Sequence, residues 1–196
     1  MLISTEHQFC FYHIPKTGGS SFTAALAPFL DDPVKMGSIG KPWQIRHHRR
    51  PGHMHVTWEK LGAPEGFLVA ATCRNPFSRM ISLYNAFGQK GESLEDFIPR
   101  LAAGRAMGSS FRSTLGRPQL AWIKGAPSPL ILRFEALQES FDTLCARVGI
   151  PQTKIPHHLH RPREPFPTYY SEHARHLVAK LWAPDFNRFD YPTTLP

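Results

Sequence analysis

Long apolar runs are missing. No stretch of the 196-residue chain approaches the ~18 uninterrupted apolar residues of a membrane span. The first residues, MLISTEHQFCFYHIPK, lack the basic start and apolar run of a secretory signal, so a soluble, cytoplasmic protein is expected. Cysteine is scarce as well. The three present, Cys10, Cys73 and Cys145, form no CxxC pair, and each sits in an apolar stretch. They read as small buried hydrophobes in a reducing compartment rather than a disulfide framework. Only Cys73, beside Arg74, has the setting of a reactive thiol. Acidic residues are the minority: 15 Asp+Glu against 23 Lys+Arg leaves +8, with 11 His besides. That balance points to an anionic partner and leaves nucleotide, nucleic acid, acidic glycan and anionic lipid all open.

Proline is abundant: 19 residues, about twice the ordinary usage of ~5%. Stiff, irregular connections are expected. With 41% apolar residues the chain is neither disordered nor collagen-like, and its length suits one domain over 1–196 with a sizeable core.

Phe9–Ile14 (FCFYHI) predicts a buried strand; a Gly18-Gly19 turn follows, then a helix through Phe22, Leu26 and Leu30. Residues 31–66 read mostly as loop, with a basic, His-rich cluster at Arg46–Arg50 and a short helix near Thr57–Leu61. Phe67–Cys73 (FLVAATC) has the continuous apolar character of a doubly covered parallel strand. Asn75-Pro76 opens a helix to Phe87, and Ser93 and Asp96 open another ending near Gly104. Leu130–Phe134 is a third strand candidate, followed by a helix over Leu137–Val148. Ser171 caps a last helix to Trp182. Three βα units with irregular inserts predict one α/β domain.

The sharpest signal is Pro15-Lys16-Thr17-Gly18-Gly19-Ser20-Ser21 between strand and helix. A helix N-terminus presents unpaired N–H groups and a positive dipole end, the elements of an anion site. The glycines allow close backbone approach, Thr17, Ser20 and Ser21 bring hydroxyls, and Lys16 brings charge. A tight βα turn with a Ser cap accounts for one Gly and one Ser but not for this crowding. The Walker pattern needs Lys after the last Gly, whereas Lys16 precedes Gly18-Gly19, and no apolar strand ends in a magnesium-holding Asp. A Rossmann G-x-G-x-x-G is absent from the turn as well.

Tyr12-His13-Ile14-Pro15-Lys16-Thr17-Gly18-Gly19-Ser20-Ser21 resembles the HIPKTGGTS signature of carbohydrate-type sulfotransferases. Cys73-Arg74-Asn75-Pro76-Phe77-Ser78-Arg79 with Ser82 and Tyr84 is similar to that family's R-[ND]-P-F-x-R-x-x-S-x-Y segment. Weaker matches follow in family order, Phe134-Glu135-Ala136-Leu137 and the tail Asp185-Phe186-Asn187-Arg188-Phe189-Asp190-Tyr191. The resemblance implies a P-loop-like three-layer sandwich, a central mostly parallel sheet flanked by helices. It implies 3′-phosphoadenosine 5′-phosphosulfate (PAPS) as donor and a hydroxyl-bearing acceptor, saccharide or lipid-linked. The loop with Lys16 would take the 5′-phosphosulfate, and Arg74 and Ser82 the 3′-phosphate. Arg161 and Arg163 fall where the family has a loop closing on the donor. Arg79 is expected to face solvent or the loop above.

Sulfuryl transfer builds charge on the departing phosphate, which Lys16 can neutralise without a metal. A base must take the acceptor proton. Pro51-Gly52-His53-Met54-His55-Val56 resembles the family's stretch before the second phosphate motif, giving His53 first, His55 second and Glu59 third. His53-x-His55 and His157-His158-x-His160 could hold a metal, but no Cys or acidic residue joins either cluster, so none is expected. Two rival classes stay open: a P-loop kinase or NTPase, and a non-catalytic polyanion-binding relative. Nucleic acid is disfavoured because the basic clusters lack interleaved aromatics.

Overall fold

The computed structural model describes residues 1–31, 34–35, 46–47, 55–104, 114–156 and 166–195. The chain divides into two compact units, Met1–Cys73 with Trp122–His160, and Arg74–Ala121 with Arg161–Pro196.

The first unit carries a four-stranded sheet in the order β1 (Leu2–Ser4), β2 (Phe9–Tyr12), β5 (Leu68–Cys73), β6 (Leu130–Arg133). β2, β5 and β6 are parallel, in register at Cys10↔Val69 and Ala70↔Leu130, while β1 lies antiparallel on the edge. The apolar runs FCFY and LVAATC suit such strands, and both are buried almost throughout. On one face, Phe9, Phe11, Ala70 and Leu132 pack with Phe22 and Leu26 of α1 (Gly19–Leu26) and Phe141 and Leu144 of α5 (Leu137–Val148). The Phe11 and Phe22 rings stack at 5.2 Å. On the other face, Tyr12 meets Trp58 at 5.9 Å. β3 (Val34–Lys35) and β4 (Arg46–His47) form a separate two-residue ladder.

The second unit is helical: α2 (Pro76–Phe87), α3 (Leu94–Ala102), α6 (Phe166–Tyr169), α7 (Glu172–Leu181) and α8 (Ala183–Phe189). α4 (Leu120–Ile123) lies where the chain passes from one unit to the other. Phe77, Met80, Phe97, Val178, Trp182 and Phe186 form the core of this unit. The cap signals hold. Asn75 accepts from the Phe77 and Ser78 amides, Ser93 from Asp96, and Ser171 from Ala174.

The fold is the expected α/β one, with departures in detail. Residues 57–61 form turns, Lys60 and Leu61 N–H both bonding to Thr57 O, instead of a helix. The Trp58 N–H bonds instead to Trp122 O at 2.8 Å, which ties the segment to a remote residue. β1 and α8 add elements that the apolar patterning did not reveal. All three cysteines are buried thiols, and burial pushes Cys10 up to about 12 and Cys145 to about 11.

Candidate active site

The loop between β2 and α1 is built by residues that each satisfy a separate constraint. Lys16 has φ 68° and Gly18 φ 84°. A left-handed non-glycine residue costs on the order of 1–2 kcal/mol, so the turn holds Lys16 where a glycine would sit more easily. A Cβ on Gly18 would come within 2.7 Å of the Phe134 ring, and one on Gly19 within 2.1 Å of the His13 ring. The glycines are there because aromatic side chains lie against their α-carbons. Gly18 is the N-cap of α1 and offers no side-chain acceptor, so the capping amides of that helix lack the side-chain partner that α2, α3 and α7 have.

Thr17 is fully buried. Its hydroxyl lies 2.8 Å from Ile14 O and 2.7 Å from Thr72 Oγ1, which fastens the loop to β5. With one proton and two lone pairs, the hydroxyl is committed to the loop itself. Lys16, Ser20 and Ser21 are half-buried.

His55 packs against this loop. Its ring centroid is 4.5 Å from that of His13 and 6.4 Å from that of Trp122, and its Nδ1 is 3.0 Å from His13 O. A carbonyl only accepts, so Nδ1 carries the proton and the lone pair of the neutral ring falls on Nε2. Burial pulls the imidazolium down to about 4, keeping the ring neutral at physiological pH. Glu59 lies in the exposed turn just beyond. His53, Arg161 and Arg163 lie outside the described residues, as does the His157–His160 cluster. Among the described residues no group of three His, Cys, Asp or Glu could hold a metal ion.

In the helical unit, Arg74 directly follows β5 and is 3% exposed. Its backbone is held at both ends by one side chain: Arg74 N–H donates to Gln119 Oε1 at 2.9 Å, and Gln119 Nε2 donates to Arg74 O at 2.9 Å. Ser82 is half-buried on α2 and shares its helix face with Ser78, four residues earlier. Arg79 is a correction to the sequence reading, because it is wholly buried. Its guanidinium donates to Arg117 O at 3.0 Å and Leu115 O at 3.2 Å, and lies 4.5 Å from the centre of the Trp182 ring. Two carbonyls and an aromatic face compensate for lost water, and burial lowers the group only to about 10, so it stays charged.

Sequence reasoning missed Thr72, Gln119 and Trp122. A lone hydroxyl in an apolar strand could have marked Thr72; nothing local marks the other two.

A glycine-bearing turn at a strand–helix junction with a neutral histidine packed on it belongs to the α/β unit. Residues 1–113 match the model of the sulfotransferase family, more than half of the 196, and the chain belongs to that family. No curated protein and no solved structure matches it. The segments Pro15–Ser21 and Arg74–Tyr84 both fall inside the matched region.

Proposed function

We propose that the protein transfers the sulfuryl group of PAPS to a hydroxyl of a saccharide, lipid-linked or other small acceptor. The observation that carries this is His55 seated on the HIPKTGG loop, with Nδ1 turned to the His13 carbonyl. In this reading the α1 amides and Lys16 hold the 5′-phosphosulfate, while Arg74 and Ser82 take the 3′-phosphate. His55 Nε2 accepts the acceptor proton as the acceptor oxygen bonds to sulfur. The bond from sulfur to the bridging phosphate oxygen breaks, and adenosine 3′,5′-bisphosphate leaves with the charge that Lys16 neutralises. His53 is the other candidate base, and Arg161 and Arg163 complete the donor contacts by resemblance. The kinase reading lacks support in the position of Lys16, which comes before the glycine pair.

The test is His55→Ala assayed with PAPS and a panel of sugar and lipid hydroxyls. We expect kcat to fall by about 10²-fold or more with bisphosphate affinity kept. If His53→Ala has that effect and His55→Ala does not, the base is His53.

A further inference from the structure

Arg74 stands out for how its backbone is held. An arginine at the end of a strand ordinarily takes its bearings from the sheet ladder or from the helix that follows. Here Gln119, 45 residues away in sequence, returns both backbone bonds of Arg74, and Gln119 is in turn held by Asp185. Asp185 Oδ2 accepts from Gln119 N–H at 2.7 Å and Gln119 Nε2 at 3.3 Å, while Oδ1 accepts from Leu120 N–H at 2.9 Å. Both protons of the Gln119 amide are used, and Oε1 receives the Arg74 N–H, so the partners allow only one amide orientation. Gln119 and Asp185 are fully buried. A buried carboxylate is expensive to maintain. Burial pushes it above the usual carboxylate range, and the positive charge of the buried Arg79 and the three hydrogen bonds from Gln119 and Leu120 act against that rise.

We propose that Gln119 and Asp185 are positioning residues for Arg74, fixing its backbone so that its guanidinium meets the 3′-phosphate of the donor. This rests on the Arg74 assignment made above. It also gives the Asp185-Phe186 tail motif a role, outside the 113 residues of the family match. The chain length between the partners explains why no local pattern announces the pair.

The experiment titrates the full chain with adenosine 3′,5′-bisphosphate and, in parallel, with adenosine 5′-monophosphate, which lacks the 3′-phosphate. Gln119→Met keeps the side-chain length and removes the three side-chain hydrogen bonds. It is expected to weaken the bisphosphate about 10-fold or more, the usual scale for loss of a supporting partner, and to leave the monophosphate within about 2-fold. Combined with Arg74→Ala it should add no further loss. Asp185→Asn, which keeps the shape but leaves one accepting oxygen for three donors, should show the same selectivity and gives a second reading if Gln119→Met unfolds. Equal weakening of both ligands, or losses that multiply in the double variant, overturn the positioning role. A loss on Arg74→Ala with none on Gln119→Met or Asp185→Asn overturns it alone. An unchanged bisphosphate affinity on Arg74→Ala overturns the phosphate assignment and the positioning role together.

Discussion

At the scale of single residues, the proposed chemistry rests on Lys16 and His55, and each is marked by an unfavourable state the fold tolerates. Lys16 is held at φ 68°. Lys16→Gly relieves that conformation, so the variant should melt within about 1 kcal/mol of the parent, or above it, while losing turnover by on the order of 10²–10³-fold. Lys16→Ala should lose turnover equally and gain no stability. Urea midpoints alongside kcat for the two variants check this; a Lys16→Gly enzyme that still turns over removes Lys16 from the mechanism. His55 is depressed from 6.5 to about 4, chiefly by burial. The unfolded chain therefore takes up the proton first as pH falls, and stability is lost from about 6.5 down to 4. His55→Gln should flatten that part of a urea-midpoint profile. In the same terms, the acid limb of kcat/KM should lie near 4 rather than 6.5.

Among the elements, the β2–α1 loop and the α2 region make opposite use of buried polar groups. Thr72→Val removes the hydroxyl that meets Thr17 and should cost about 1–2 kcal/mol without changing any charge. Arg79→Ala should cost about 3 kcal/mol or more in chemical denaturation, since it removes two hydrogen bonds, a ring contact and the charge facing Asp185. A solvent-facing arginine would cost almost nothing. The sequence was most legible where one short segment determines its own structure. FCFY and LVAATC read as strands because both faces are covered, and α2, α3 and α7 start at Asn75, Ser93 and Ser171 because their side chains supply the missing acceptor. It was least legible where remote partners decide. The turn at 57–61 follows from Trp58 bonding to Trp122, and Arg79 is buried because Arg117, Leu115 and Trp182 supply its partners. β1 is three residues on a sheet edge, too short for a periodic signal.

For the whole molecule, the formal charge of +8 is consistent with an anionic donor, and Lys16 and Arg74 of the proposed donor site fall one in each compact unit. The segments of the proposed site were legible because a glycine loop and an R-N-P helix start are local patterns; the Gln119–Asp185 hydrogen bonds to Arg74 were not, because their residues come from distant parts of the sequence. A donor that binds the folded chain alone stabilises it by mass action, about 2.7 kcal/mol at 100 times Kd. Adenosine 3′,5′-bisphosphate should therefore raise the melting temperature in a concentration-dependent way.

The most direct test is a calorimetric titration with adenosine 3′,5′-bisphosphate, with ATP–magnesium as the rival ligand. Binding of the bisphosphate, unchanged by chelator and stronger than that of ATP–magnesium, is the predicted result. Binding of ATP–magnesium with no response to the bisphosphate would contradict the account.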